Sequence, residues 1–321
     1  MPAVSGRGLG HECLEQSLVV TMHDDEIQIS QQAVERLVAT QFPEWAGLPI
    51  RRTRSSGTVN AIYRLGDDLA ARFPLRPGDP ESVRETLEME AKASAEFNRH
   101  SPFPGPTPVG IGEPGEGYPM PWSVQSWLPG TVAEDGAASD SKSLAHDLAT
   151  LISALRRVDT AGRRFERGWR GGALRTHDAW VKLCLRKSEQ LLDVSRLPAL
   201  WDYFVALPRT SSDVMSHGDL IPGNVLVSNG RLTGLLDCGG FGPADPALDL
   251  IAGWHLLDDE PRAVFREELA PDALEWERSK AWAFEQSMGA VWYYAKTNPP
   301  MSTMGRRTLA RILANTPTTS A

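Results

Sequence analysis

Residues 216–240, with the sequence SHGDLIPGNVLVSNGRLTGLLDCGG, carry the strongest structural signal in the chain. Two apolar runs in this segment are separated by Asn229-Gly230, and Asn-Gly between apolar runs strongly indicates a β-hairpin. With this dipeptide at the turn, Asn224 is expected opposite Leu235. Asp237 then follows on the same face of the strand, roughly 7 Å further along. The segment therefore predicts a hairpin whose open end brings an amide oxygen close to a carboxylate.

That arrangement suits a hard divalent cation. Mg²⁺ prefers oxygen ligands and usually takes one or two from protein, while phosphates and water complete the shell. Asp219 precedes the hairpin on a short loop, where it could orient a hydroxyl or accept its proton. An Asp, four intervening residues, an Asn and then a metal-binding Asp after a hairpin is the pattern of kinase catalytic loops. Taken singly, Asn224 could be a turn former and Asp237 a strand cap, but their joint occurrence with Asp219 favours phosphoryl transfer.

Together with ADPALDL at 244–250, this segment resembles the aminoglycoside phosphotransferase family. The family is a small-molecule branch of the protein-kinase-like fold that also includes macrolide phosphotransferases and choline kinases. The resemblance extends from about Ser55 to Trp292. It implies that Asp219 is the catalytic base and that Asn224 and Asp237 hold Mg²⁺.

Asp249 resembles the acidic residue with which the family braces its catalytic loop. A charge placed to stabilise a helix N-terminus explains Asp249 equally well.

The resemblance also implies a nucleotide site for ATP or GTP in the N-terminal part. Gly57 would let the backbone approach the phosphates, although a plain hairpin turn explains this stretch nearly as well. Arg72 stands where the family has Lys, and Glu90 on the following helix is its expected ionic partner. The segment VQSWLPG at 124–130 resembles the hinge that binds the purine through main-chain groups. The residues predicted to bind nucleotide are Ser55, Ser56, Gly57, Arg72, Glu90, Ser126 and Leu128.

The implied fold is α+β and bilobal, with a small N-terminal lobe of antiparallel sheet plus helix and a larger, mostly helical C-terminal lobe. The alternating segment RRTRSSGTVNAIYRLGDDLAARFPL predicts a three-stranded meander, and Asp79-Pro80 predicts the start of a helix. We expect a flexible tail over 1–28, a nucleotide-binding lobe over 29–126, and a catalytic and substrate-binding lobe over 127–321.

Composition narrows the function classes. The 321 residues carry a formal charge of −8, which disfavours nucleic acid as a partner. The three cysteines lack CxxC or Cys/His metal spacing and are expected to be reduced thiols. We expect no membrane span, no signal peptide, a cytoplasmic location, and a monomer or dimer. No GxSxG, HExxH or P-loop sequence supports a serine hydrolase, a zincin or a Walker-type ATPase.

We expect the acceptor to be a hydroxylated small molecule, and cationic molecules are among the candidates. Residues 255–285 hold nine acids and four bases, and an acidic wall would attract an aminoglycoside. A solvated helix face is the simpler explanation for most of these acids. The same region is rich in tryptophan, and the helical spacing of those aromatic residues fits a core stripe at least as well as a binding pocket. An aromatic pocket would instead suit a macrolide or a quaternary amine. The candidate acceptor residues are Asp258, Asp259, Glu260, Trp254 and Trp292.

The sequence thus predicts a Mg²⁺-dependent enzyme that moves the γ-phosphoryl group of ATP or GTP to a hydroxyl of an aminoglycoside-type antibiotic. A macrolide phosphotransferase and a metabolic kinase for choline, a sugar or an amino alcohol are alternatives. Arg72, and Cys238 at a position where family members often have an aromatic residue, leave a catalytically silent nucleotide-binding protein as a further alternative.

Overall fold

The N-terminal lobe is built on an antiparallel sheet. The computed structural model describes residues 26–53, 59–166 and 170–316. The elements of this lobe are α1 (Gln31–Gln41), β1 (Ile50–Arg52), β2 (Asn60–Leu65), β3 (Leu69–Pro74), α2 (Pro80–His100), β4 (Pro108–Gly112) and β5 (Trp122–Ser126). The strands are ordered β1-β2-β3-β5-β4, and every neighbouring pair is antiparallel. The predicted meander is confirmed, and β5 and β4 extend it.

One face of this sheet and α1 enclose a core of their own. Phe73 stacks on Trp122 with ring centroids 4.8 Å apart, and Tyr63 and Tyr118 meet Phe73 edge-on. Large aromatic rings bury much apolar area per residue, so these four fix the sheet against α1. Ile27, in the stretch predicted as tail, donates its backbone N–H to the carbonyl of Leu75 at 2.7 Å.

Helix α2 links the two lobes. Its N-terminus is capped by Asp79, whose carboxylate accepts from the N–H of Ser82 at 2.9 Å, as the Asp-Pro signal predicts. Near its C-terminal end, Phe97 is buried in the second core, where it meets His217 and Phe241 edge-on. The helix therefore holds the sheet of one lobe against the loops of the other.

The C-terminal lobe is mostly helical. Its elements are β6 (Thr131–Val132), α3 (Lys142–Arg156), α4 (Asp178–Ser188), α5 (Leu197–Val205), β7 (Val214–Ser216), β8 (Val225–Ser228), β9 (Arg231–Leu235), β10 (Gly242–Ala244), α6 (Ile251–Leu256), α7 (Asp259–Leu269), α8 (Ala273–Tyr293) and α9 (Pro299–Ala314). Strand β6 pairs with β8, so the chain passes from the sheet of one lobe to that of the other between Ser126 and Thr131. The bilobal α+β class is confirmed.

Two helices were not anticipated from the sequence. Helix α9 begins with two prolines, which periodicity analysis treats as a break, but proline is tolerated in the first turn because the N–H groups there lack intrahelical partners. Asn298 caps this helix by accepting from the N–H of Met301 at 3.3 Å. Helix α6 has six residues, all buried, and a helix buried on every side shows no amphipathic period. In the described part of the chain, no helix combines the length and apolarity that crossing a bilayer requires.

Candidate active site

The loop between β7 and β8 is held by one buried carboxylate. Asp249 accepts from the backbone N–H groups of His217 and Gly218, each at 2.9 Å. Gly218 has φ +87°, a left-handed conformation that L side chains rarely adopt, so glycine suits this turn. The His217 ring, through Nε2, contacts the carbonyl of Leu236 at 3.0 Å. The loop is thereby fastened both to the helical core and to the end of the hairpin.

The hairpin forms with one change of register. Ser228 pairs with Arg231 across the Asn229-Gly230 turn, as predicted. Pairing then shifts by one residue between Leu226 and Val227, which leaves Thr233 as an extra residue in β9. The position opposite Asn224 is consequently Leu236, whose N–H donates to the Asn224 carbonyl at 2.8 Å. The predicted pairing with Leu235 is wrong, and the bulge brings Asp237 one residue closer to Asn224.

Asn224 is oriented by Asp219. Its amide nitrogen Nδ2 donates to the backbone carbonyl of Asp219 at 3.0 Å and to the carboxylate Oδ2 at 2.9 Å. Since both partners are acceptors, the amide group must present its nitrogen to them, and its oxygen Oδ1 is left for another ligand. Asn224 therefore offers an oxygen donor of the kind that Mg²⁺ prefers.

Asp237 lies directly after the hairpin in a left-handed conformation, with φ +57°. Its side chain is 51% exposed, and Oδ1 accepts from Arg72 Nη2 at 3.2 Å. Arg72 Nη1 also contacts Gln125 Oε1 at 3.5 Å. Arg72 therefore pairs with Asp237, and the predicted ion pair between Arg72 and Glu90 is wrong. Glu90 lies close to Gly239, two residues after Asp237, because a Cβ placed on Gly239 would lie 2.8 Å from the Glu90 Cβ.

The donor set fits Mg²⁺. An amide oxygen and an exposed carboxylate are hard ligands, and a Mg²⁺ site needs only one or two of them from protein. Within the described ranges, no three His, Cys, Asp or Glu side chains cluster as a closed metal site. The arrangement therefore suits a cation shared with phosphates more than a permanently caged metal.

The other predicted nucleotide residues fall into two groups, one around Gly57 and one at the hinge. Ser55, Ser56 and Gly57 lie outside the described residues. At the hinge, the N–H of Ser126 donates to Thr107 O at 2.8 Å and that of Trp127 donates to Asp68 O at 2.7 Å. Among the described contacts, the N–H of Leu128 has no such acceptor, so this group is available to a ligand.

Two side chains that sequence reasoning missed contact Asp219. Arg170 Nη2 lies 2.9 Å from Asp219 Oδ1, and Gln286 Nε2 donates to the same oxygen at 2.7 Å. Arg170 stands in an aperiodic stretch whose sequence carries no motif. Gln286 had one detectable signal, because it is a polar residue within the mostly apolar run AWAFEQSMGAVWYY at 281–294.

The three acids proposed for a cationic acceptor are engaged elsewhere. Asp258 accepts from Ser139 Oγ at 2.7 Å and from Arg311 at 2.6 Å, and the Ser139 hydrogen bond is the largest cause lowering its pKa. Asp259 pairs with Arg262, and Glu260 pairs with Lys142. These acids lie at the start of α7 and form ion pairs with basic residues of α9, α7 and α3. The expectation that they form an acidic acceptor wall receives no support from their contacts.

The two tryptophans proposed for the acceptor have different surroundings. Trp254 is 1% exposed, donates from Nε1 to Ser279 Oγ at 2.9 Å and packs against Trp276. It is a core residue, so its assignment to an acceptor surface is wrong. Trp292 is half-buried and contacts Trp180, which is 39% exposed, with ring centroids 6.1 Å apart.

Cys238 is buried next to the metal-site candidate. Burial is the largest cause raising the pKa of its thiol, and the Asp237 charge adds to it. A Cβ on Gly105 would lie 2.7 Å from the Cys238 Sγ, so the small side chain fills its space. The neutral thiol acts here as a packing group.

Comparisons with known proteins show the family and the fold of this chain. The sequence model of the phosphotransferase enzyme family matches residues 51–282. No curated protein sequence gives a significant match.

Solved structures show the same fold at low identity. The GDP complex of an aminoglycoside 2′-phosphotransferase-IIIa is 18% identical, with TM-score 0.66 over 89% of this chain and 99% of that one. The apoenzyme of a macrolide 2′-phosphotransferase from Brachybacterium faecium is 20% identical, with TM-score 0.57 over 87% of this chain and 97% of that one. The ADP-bound aminoglycoside phosphotransferase APH(2″)-Ib is 16% identical, with TM-score 0.57 over 87% and 98%.

Proposed function

The chain belongs to the phosphotransferase enzyme family, and from that premise we propose that it transfers the γ-phosphoryl group of ATP or GTP to a hydroxyl of a small molecule, with Mg²⁺. The observation that carries the proposal is the contact of Asn224 Nδ2 with Asp219 Oδ2 at 2.9 Å. It joins a carboxylate able to take a hydroxyl proton to an amide whose oxygen can hold a cation. Asp237 completes the pair of oxygen donors one residue beyond the partner of Asn224.

Each residue has one task in this mechanism. Asp219 accepts a hydrogen bond from the acceptor hydroxyl and takes its proton as the oxygen attacks phosphorus. Asn224 Oδ1 and the Asp237 carboxylate would hold Mg²⁺, which neutralises charge on the phosphates when it is bound. Arg72 approaches from the sheet and can contact phosphate oxygens as a fork. Phosphoryl transfer demands mainly positioning and charge neutralisation, and these residues supply both.

The nucleotide would be bound between the lobes. The N–H of Leu128 is the candidate hinge donor to the base, and Ser126 shapes the hinge through its bonds to Thr107. Similar structures contain GDP or ADP, which supports a nucleotide without choosing between adenine and guanine. We propose a cytoplasmic location, where such nucleotides are supplied and free thiols stay reduced.

For the acceptor we propose an aminoglycoside-type antibiotic, because solved aminoglycoside phosphotransferases share the fold over most of their length. A second candidate, a macrolide-type acceptor, is favoured by the aromatic rings at the end of α8. Trp292, Tyr293 and Tyr294 contact one another in series, with centroids 5.5 and 4.9 Å apart, and Trp180 extends the series into solvent. Rings of this kind offer an apolar face to a large lactone.

A coupled assay tests the function. Nucleoside diphosphate release is measured with ATP and with GTP, with and without Mg²⁺, against aminoglycosides, macrolides, choline, sugars and amino alcohols. We expect one acceptor class to raise the rate in a Mg²⁺-dependent way. Asp219→Ala should lower kcat by about 10²-fold or more, the usual contribution of a general base. Asp202→Ala, an exposed carboxylate on α5, should not change it.

Two outcomes would contradict the proposal. Wild-type rates in Asp219→Ala would remove the assigned base. Mg²⁺-dependent nucleotide binding without turnover of any hydroxylated compound would favour the silent nucleotide-binding protein.

A further inference from the structure

The carboxylate of Asp219 is held unequally at its two oxygens. Oδ1 accepts from Arg170 Nη2 at 2.9 Å and from Gln286 Nε2 at 2.7 Å, whereas Oδ2 accepts from Asn224 Nδ2 at 2.9 Å. A carboxylate offers about four acceptor positions, two on each oxygen. Oδ1 has both positions filled by side chains that the sequence did not indicate. Oδ2 keeps one position, and it is the oxygen beside Asn224.

Gln286 can act only as a donor to Asp219, because its other end is fixed. A carboxylate accepts hydrogen bonds and donates none, so the nitrogen of Gln286 faces Asp219 and its Oε1 faces His255 Nε2 at 3.2 Å. His255 Nε2 must then carry the proton, and its Nδ1 accepts from Thr308 Oγ1 at 2.9 Å. A chain of three donors therefore runs from α9 through α6 and α8 to the catalytic loop.

The His255 imidazole stays neutral, as this chain requires. Burial is the largest cause lowering its pKa to about 3, and the Arg170 and Arg311 charges add to the effect. A neutral imidazole with one N–H keeps a single tautomer while Thr308 donates to the other nitrogen. The orientation of Gln286 is consequently independent of pH near neutrality.

Arg170 also lies close to a second, buried carboxylate. Its Nη1 lies 3.8 Å from Glu285 Oε2, and Glu285 Oε1 lies 3.0 Å from His177 Nδ1. The Glu285 side chain is only 4% exposed, so its charge needs the guanidinium nearby. Since Glu285 and Gln286 are adjacent on α8, one helix sets the position of both groups that hold Oδ1.

From this geometry we infer that Arg170 and Gln286 are positioning residues that fix Asp219 by Oδ1 and reserve Oδ2 for the acceptor hydroxyl. The inference rests on the proposed function. The torsion that turns a carboxylate about its last carbon–carbon bond is broad, so an Asp without these donors samples many orientations. Holding Oδ1 places Oδ2, and with it the hydroxyl, beside the Asn224 oxygen that would bind the cation and its phosphates.

The decisive experiment is chemical rescue. Arg170→Ala is assayed with the acceptor that gives the highest rate in the screen above, and with kanamycin. We expect kcat to fall by about 10²-fold, as small losses of alignment do, with the KM for nucleotide unchanged within about twofold. Millimolar guanidinium should restore part of kcat in a saturable way, because the Arg170 side chain is 27% exposed and its site is accessible. Urea, of similar shape and without charge, should not restore it.

Matched variants separate positioning from folding. Arg209→Ala removes a guanidinium that pairs with Asp213, has a side chain 26% exposed and lies outside the site, so neither kcat nor the guanidinium response should change. Gln286→Leu should lower kcat without guanidinium rescue. Gln286→Glu should lower it further, since it places a second carboxylate against Asp219. Arg170→Lys keeps the charge without the fork, so it should be intermediate and also serves if the alanine variant does not fold.

The inference is overturned if folded Arg170→Ala or Arg170→Lys keeps kcat within about threefold of wild type. It is also overturned if the loss in Arg170→Ala is not relieved by guanidinium. Failure of the proposed function would look different, because then either Asp219→Ala would remain active or the wild-type protein would turn over no acceptor. An inactive Asp219→Ala beside a fully active Arg170→Ala would refute only the positioning role.

Discussion

Arg72 of β3 pairs with Asp237 of the C-terminal lobe, with Nη2 and Oδ1 3.2 Å apart. This contact joins the sheet to the end of the hairpin, across the opening where a nucleotide would lie. The Arg72 side chain is only 16% exposed, whereas that of Asp237 is 51% exposed. Surrounding residues therefore hold the Arg72 guanidinium in position, whereas the exposed part of the Asp237 carboxylate can contact a cation.

Replacing Arg72 should weaken nucleotide binding more than it slows chemistry. In Arg72→Ala we expect the KM for ATP or GTP to rise about tenfold, equivalent to losing one charged hydrogen bond of about 1.4 kcal/mol. Arg72→Lys should recover part of this, because Lys retains the charge but not the second contact to Gln125. Initial-rate kinetics with varied nucleotide provide the measurement. Arg36→Ala, which breaks an exposed ion pair with Glu116, is the control. An unchanged nucleotide KM in Arg72→Ala would refute the role.

Replacing Asn224 should change the requirement for Mg²⁺. Asn224→Ala removes an oxygen ligand, so half-maximal activity should need at least about tenfold more Mg²⁺, or about 1.4 kcal/mol of lost affinity. The measurement is a Mg²⁺ titration of activity at saturating nucleotide. Asn315→Ala, at the end of α9, should leave the titration in place. If both variants titrate like the wild type, Asn224 is not a metal ligand.

Replacing the two tryptophans that were proposed from the sequence should change different properties of the protein. Trp254→Ala empties a fully buried position and should lower the free energy of unfolding by about 3–5 kcal/mol. Trp292→Ala should affect stability less, since the residue is half-buried, and should raise the acceptor KM if the aromatic rings at the end of α8 form the acceptor surface. Urea denaturation and acceptor kinetics on the same samples give both quantities. A raised acceptor KM in a stable Trp254 variant would reverse this assignment.

His255 should make stability fall in acid. Its pKa is lowered from 6.5 to about 3 in the folded state, so below about pH 6.5 the unfolded chain binds a proton that the folded chain does not. The stability that depends on neutral His255 is fully present above about pH 6.5. It is lost as pH falls towards 3, at about 1.4 kcal/mol per pH unit. Urea denaturation at pH 7, 6 and 5 measures it in the wild type and in His255→Gln. The variant should lose less stability across this window, and parallel losses would contradict the prediction.

Local sequence determined the parts of this protein that local physics controls. The Asn-Gly turn, the Asp79 cap of α2 and the short spacing from Asp219 to Asn224 depend on neighbouring residues only, so they could be predicted. The family resemblance at 216–250 also predicted the bilobal fold and the enzyme class, which the family match and the solved structures confirm.

The tertiary structure decided which distant side chains meet. Arg170 and Gln286 reach Asp219 from elements 49 and 67 residues away, and no periodicity encodes such a meeting. The extra residue at Thr233 moved the register by one, because a β-bulge sets two residues of one strand opposite one residue of its partner. Burial assigned Trp254 to the core, since an aromatic residue satisfies a helical stripe and a binding surface equally well until its neighbours are known. The sequence thus specified the candidate reacting groups, and the fold specified what holds them in place.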